Sequence, residues 1–112
     1  PEVASVGLTE EAARERGEIQ VGRFPLRGNG KALILNEPDG MVKVIADRRL
    51  GEVLGVHIIG PHATDMIAEA VLGMTMEMTA EELAGAIHPH PTVSEAVMEA
   101  ARVISGGAIH MP

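Results

Sequence analysis

The residue types best suited to moving a proton gather in one stretch, Ile87-His88-Pro89-His90-Pro91-Thr92-Val93-Ser94-Glu95. Imidazole has an unperturbed pKa of about 6.5, so it can take and return a proton near neutrality. Proline disfavours α geometry in the residue before it, which makes this run stiff and non-helical. It feeds straight into Thr92-Val93-Ser94-Glu95, which has the pattern of a capping box. Such a construction holds an imidazole just ahead of a helix N-terminus, and Glu95, one turn in, comes within reach of His90. A carboxylate beside an imidazole fixes its tautomer and favours its charged form. The plainer reading is that Glu95 only completes the capping box with Thr92, and that His88 and His90 are a chance pair. Spacing alone leaves both open. A His-x-His metal site is weaker, because no third ligand is nearby in sequence. The sharp turn expects one X-Pro bond, His90–Pro91 in preference to His88–Pro89, to be cis.

Other candidates carry less. Gly28-Asn29-Gly30-Lys31-Ala32-Leu33 starts like a dinucleotide fingerprint, but its third small position is Leu33 and no strand–turn–helix surrounds it. It reads as a turn. Met74-Thr75-Met76-Glu77-Met78, together with the histidines, suggests a soft thioether metal site. The favoured alternative is methionine as adaptable filler in a chain whose aromatic side chains amount to one Phe. His57, mid-strand, and His62, in a helix's first turn, read as structural.

These residues must be positioned by regular elements. Thr9 caps a short helix through Glu10-Glu11-Ala12-Ala13-Arg14 that Gly17 stops. After Pro61, the spacing of Ala63, Met66, Ile67, Ala70, Val71 and Met74 predicts an amphipathic helix. Thr79-Ala80-Glu81-Glu82 opens another, ended by Gly85. Val93, Ala96, Val97, Ala100, Ala101 and Ile104 mark the apolar face of a last helix, closed by Gly106-Gly107. Residues 18–24, 41–46 and 52–59 are β-branched runs that predict strands, the last two joined as a hairpin through 47–51. The last strand is apolar on both faces, which predicts a central strand covered on both sides. Lys31 to Leu35 is allowed as a further strand. The order predicts an α+β fold, an antiparallel β-sheet flanked by α-helices.

Composition bounds the function. The chain has 112 residues, a net charge of −7 and no cysteine. It is one domain, residues 1–112, and folding at this size hides about 65% of the unfolded surface. Without cysteine, disulfides, thiolate metal sites and thiol redox chemistry are excluded for this chain. The acidic balance and the lack of Trp and Tyr argue against nucleic acid. No apolar run approaches the roughly 20 residues of a membrane span. The N-terminus has no secretory pattern and no initiator Met, so a cytoplasmic domain processed or cut from something longer is expected.

His88-Pro89-His90-Pro91-Thr92-Val93-Ser94-Glu95 resembles the C-terminal segment of dihydrolipoamide dehydrogenases, members of the flavin-dependent pyridine nucleotide–disulfide oxidoreductases. The likeness runs over nearly the whole chain. Residues 1–10, Gly40-Met41-Val42-Lys43-Val44, residues 54–61 and Ala63-Thr64-Asp65-Met66-Ile67 match in order. The resemblance implies the family's interface (dimerisation) domain, the C-terminal part of a parent that forms a homodimer and carries FAD and NAD domains. It implies oxidation of dihydrolipoamide with NAD, a lipoyl-bearing substrate protein, and a shared active site. One subunit brings FAD and a cysteine pair, and the other brings a His–Glu acid–base dyad. Carried onto this sequence, the dyad is His90 and Glu95. The peptide at His90 and Pro91 then lies against the other subunit's flavin, while His88 is dispensable for proton transfer. The family also places a turn or short helix near Asn29 to Leu33, in conflict with a strand there. The isolated chain is expected to dimerise, to bind neither FAD nor NAD and to be inactive, with no metal site. Two other readings stand beside this one, a free-standing dimerisation module and a Met/His metal binder.

Overall fold

The β-branched runs form strands that pair into one sheet, and the apolar helix faces close over one side of it. The computed structural model describes residues 1–107. Its strands are β1 (Glu2–Gly7), β2 (Ile19–Pro25), β3 (Met41–Asp47) and β4 (Val53–Gly60). Its α-helices are α1 (Glu10–Arg14), α2 (Gly30–Ile34), α3 (Ala63–Thr75), α4 (Ala80–Gly85) and α5 (Glu95–Ser105). A single 3₁₀ turn, Leu26–Gly28, precedes α2. The sheet is antiparallel throughout, in the order β1-β4-β3-β2. This is the α+β architecture expected from the order of the elements.

The register sets which side chains face the helices. Phe24 lies opposite Val42, Val44 opposite Val56, and Val42 opposite Ile58, so one sheet face presents a continuous apolar surface. On it, α3 covers β1 and β4, α5 covers β2 and β3, and α4 packs beside α5. Phe24, Val42, Val44, Val56 and Val97 are fully buried in this layer. Ala96, Ala100 and Ala101 leave almost no bulk on the inner side of α5, and β2 answers with Gly22. A Cβ on Gly22 would fall on the Ala100 carbonyl oxygen. The helix carrying Glu95 therefore rests directly on the strand backbone.

The opposite sheet face is only partly covered, so β4 is central without being enclosed on both sides. A small cluster of Ala13, Ile19 and Ile45 lies under α1, with Leu8, Val21 and Leu54 packed against it. Farther along β4, His57 is half-buried and Ile59 is 45% exposed. A register shift at Ile45/Ala46 carries Val53 onto the helix-covered side and Leu54 onto the other. The apolar residues on both faces of β4 thus served two unequal clusters.

Two further expectations change. Lys31 to Leu35 is helical, because the Asn29 side chain accepts from the Ala32 N–H at 2.9 Å and so caps α2. The turn or short helix implied by the family resemblance is what forms. The first residues build an edge strand, β1, that the periodicity did not signal. His57 fastens it: its Nε2–H donates to the Leu8 carbonyl at 2.8 Å, leaving Nδ1 to accept from the Ser5 hydroxyl at 2.9 Å. His62 caps α3 in a left-handed conformation with an exposed side chain, at the junction and not within the first turn. No helix among the described residues is long and apolar enough to cross a membrane.

Candidate functional site

The site is the loop between α4 and α5, residues 86–94, and it is built by capping. The Thr79 box is complete: its hydroxyl accepts from the Glu82 N–H at 3.1 Å, and the Glu82 carboxylate accepts from the Thr79 N–H at 2.8 Å. The α4 helix ends at Gly85, and Ala86 turns extended. The second box is half formed. Glu95 Oε1 accepts from the Thr92 N–H at 3.0 Å, but the Thr92 hydroxyl donates to the Pro89 carbonyl at 2.7 Å. The hydroxyl is used to close the loop, so α5 begins at Glu95 with Ser94 as its cap residue and no side-chain cap bond. The His90–Pro91 peptide is cis.

Glu95 makes both of the contacts that spacing left open. While it holds the Thr92 amide, it also accepts from His90 Nδ1 at 3.0 and 3.1 Å. A carboxylate can only accept, so the Nδ1 of His90 carries the proton. In the neutral ring Nε2 is then a bare lone pair. The His90 side chain is 73% exposed and Glu95 is 16% exposed, so the ring points outward from a fixed support. Its Nε2 has no protein partner among the described residues.

His88 is arranged in the opposite way. Its side chain is 6% exposed, with Nε2 at 2.5 Å from Glu69 Oε2 and Nδ1 at 2.9 Å from the Ala86 carbonyl oxygen. With Glu69 ionised both neighbours are acceptors, an arrangement that favours a ring donating from both nitrogens, the imidazolium. The hydrogen bond to Glu69 raises its pKa, against burial, with the Ala86 carbonyl adding to the rise. A ring with both lone pairs engaged cannot serve as a base. The geometry separates the two histidines.

Asn29 and Glu69 complete the support, and the sequence reading missed both. Asn29, almost fully buried, donates its side-chain N–H to the Thr92 carbonyl at 3.0 Å while capping α2. The signal was there: an Asn followed by Gly30-Lys31-Ala32-Leu33 is an N-cap pattern. Glu69 had none, being one acidic residue on the polar flank of α3. Glu99, one turn beyond Glu95 on α5 and 1% exposed, lines a small pocket with His90, Glu95, Phe24, Asn29 and Leu33.

The remaining candidates fall apart in space. Met74 and Met78 pack against the core, with Met78 Sδ lying on Gly73, whereas Met76 is exposed. Among the described residues no three His, Asp or Glu side chains gather as a metal site. His110, one of the histidines of the Met/His reading, lies outside the described residues. The Gly28–Leu33 segment offers no phosphate cradle, since the Asn29 side chain already takes the Ala32 amide at the start of a helix of five residues.

Comparison with known proteins identifies the family of the chain. The sequence profile described as "Pyridine nucleotide-disulphide oxidoreductase, dimerisation domain" matches residues 1–101. A dihydrolipoyl dehydrogenase of Bacillus subtilis is 53% identical over 111 residues, covering 98% of this chain and 23% of that protein. One from Thermus scotoductus is 47% identical over 112 residues, covering 99% and 24%. The chain thus spans about a quarter of the length of the curated relatives it matches. Among solved structures, LpdA from Mycobacterium tuberculosis superposes with a TM-score of 0.85 at 29% identity, over 92% of this chain and 23% of that one. The HOCl-induced flavoprotein disulfide reductase RclA from Escherichia coli gives 0.86 at 29% identity, over 91% and 24%.

Proposed function

Because the chain belongs to the dimerisation-domain family of the pyridine nucleotide-disulphide oxidoreductases, we propose that it is the C-terminal dimerisation domain of a dihydrolipoyl dehydrogenase. In that role it supplies the His90–Glu95 acid–base pair to the active site of the other subunit. The observation that carries this reading is the His90 ring, fixed by Glu95 through Nδ1 with Nε2 turned outward. The dithiol class of substrate is supported by the dihydrolipoyl dehydrogenases to which the chain is similar.

Thiol–disulfide exchange proceeds through a thiolate. His90 Nε2 takes the proton from a substrate S–H, and the sulfur, now a thiolate with its electron pair, is free to attack a disulfide sulfur. That attack forms a new S–S bond and releases the other sulfur as a thiolate. In the reverse direction the imidazolium returns the proton. Glu95 keeps the Nδ1–H oriented and offsets the charge the ring acquires. The ring reaches out from a loop held at both ends, so little ordering is left for the moment of reaction.

In this reading FAD and NAD belong to other domains of the parent; the Gly28–Leu33 segment is used as a short helix capped by its own Asn29. The flavin, when bound there, supplies the two-electron acceptor between the disulfide and NAD, and His90 and Pro91 present the edge of this domain to it. Replacing His90 by Gln in the full-length enzyme should slow dithiol oxidation by about 10²–10⁴, with flavin content and NADH-driven flavin reduction little changed. Wild-type dithiol turnover by His90→Gln, with loss on His88→Gln, would assign the proton to the other histidine and overturn the reading.

A further inference from the structure

We infer that Glu69 and the His88 imidazolium are a positioning pair, an ion pair from α3 to the loop that holds the His90 ring in line with Glu95. The inference rests on the reading of His90 as the proton acceptor. The loop is held at each end and crossed once. Asn29 fixes it at Thr92, the Thr92 hydroxyl closes it onto Pro89, and His88 fixes its first half to α3. Ile87, between the end of α4 and His88, is 99% exposed and contributes no packing. Without the bond to Glu69, residues 87–89 would keep only backbone stiffness, the Pro89–Thr92 contact and the local His88–Ala86 bond, none of which ties them to α3. The strongly exposed His90 ring would then be steered by Glu95 alone.

The pair works only while His88 is charged. A neutral imidazole has one N–H, and here two acceptors wait for it, the Glu69 carboxylate and the Ala86 carbonyl. Deprotonation therefore breaks one of the two anchors. The charged groups facing His88 are Glu69 from α3 and, at longer range, Glu95 from α5, while the end of α4 presents the Ala86 carbonyl. All three favour the cation. Since the folded-state pKa lies above the ordinary histidine value, the anchor is fully present below that ordinary value. It is lost as pH rises through the raised one.

Glu69→Gln keeps the shape and one acceptor but removes the charge, so His88 should lose its second proton at lower pH. In the full-length enzyme, kcat for dithiol oxidation should stay near wild type on the acid side and fall about tenfold or more on the alkaline side. The alkaline limb should move to lower pH without a matching change in KM, and NADH-driven flavin reduction should follow the wild-type profile throughout. Glu69→Asp, which restores the charge, should move the limb back. A profile of unchanged shape, merely scaled by the amount of flavin-loaded enzyme, would mean that the pair only stabilises the fold and would overturn the proposal. Nitrogen-15 spectra of the 112-residue chain give a reading independent of turnover. Both His88 ring nitrogens should be protonated at neutral pH in the wild type, and a neutral His88 ring there would equally overturn it. If His90→Gln turns over dithiol normally, the reading of His90 fails. If His90→Gln is inactive while Glu69→Gln follows the wild-type profile, only the positioning pair fails.

Discussion

At the scale of the residue, two histidines two positions apart have been given opposite protonation demands by their neighbours. His90 meets one acceptor and keeps a lone pair; His88 meets two and keeps none. The sequence reading reached His90 and Glu95 because a proline-stiffened run ahead of a capped helix is a local pattern. It could not reach Glu69, whose partner is brought to it by the fold from beyond α4. It stopped short at Asn29 because adjacent glycines resemble any turn. Glu95→Gln should reduce dithiol oxidation in the full-length enzyme less than His90→Gln does, since an amide oxygen still accepts from Nδ1–H. Steady-state rates of the two variants at matched flavin content check this; an equal loss would mean that the charge matters as much as the base. Asn29→Ala removes the cap of α2 and the tie to Thr92 together. It should cost about 1–3 kcal/mol in urea unfolding.

At the scale of the element, legibility followed the range of the interactions. Helices α1 and α4 were readable with their caps, and α3 and α5 by their apolar faces, because capping and the 3.6-residue period are local. The strands β2, β3 and β4 were readable as apolar runs. Short α2 was lost to its β-compatible composition, since one capping side chain decided its conformation. Edge strand β1 was lost because its outward residues are exposed and its partner is β4, far along the chain. The contact of α5 with Gly22 was equally invisible, being a strand glycine matched to a run of alanines on a distant helix. Gly22→Val should push α5 off β2, since its Cβ has no space beside the Ala100 carbonyl. Overpacking of this kind costs about 1–3 kcal/mol, and because α5 carries Glu95 the His90 environment should move with it. Urea titration and the His90 ring resonances report the two effects separately, and an unchanged midpoint would refute the close approach.

At the scale of the whole molecule, the helix layer is thick and the other sheet face thin. On that thinner face Glu10 ties α1 down, accepting from Lys43 at 3.0 Å and from Arg23, with Arg14 at 3.4 Å. The Lys43 hydrogen bond, with Arg23 adding, holds its carboxyl at a pKa of about 2 despite some desolvation. A folded-state pKa below the ordinary value stabilises the fold above that value and is lost as pH falls towards 2. The urea midpoint of the wild type should therefore drop more steeply on acidification than that of Glu10→Gln, and added salt should narrow the gap. Leu72 and Met76 at the C-terminal end of α3, and Ile87 beyond α4, remain uncovered on the single chain. In a dimerisation-domain family such side chains are suited to a second copy. Light scattering of the chain should give the mass of two copies in the micromolar to millimolar range; a monomer throughout would contradict this for the isolated domain.

The placement of β1 also sets an order of events in time. The β3–β4 hairpin closes through a short turn in which Asp47 Oδ1 accepts the Leu50 amide at 2.6 Å and the Gly51 amide at 3.0 Å. Joining β2 to β3 spans only the α2 segment. Val6, by contrast, meets Val56 across the whole of α1, β2, α2 and β3. Closing a long loop costs more chain entropy than closing a short one, and it is repaid only after the interior strands are in place. During folding the three-stranded β2–β3–β4 unit should assemble first and β1 should dock late. Truncating Val6 should therefore speed unfolding with little effect on the folding rate, whereas truncating Val44 should slow folding.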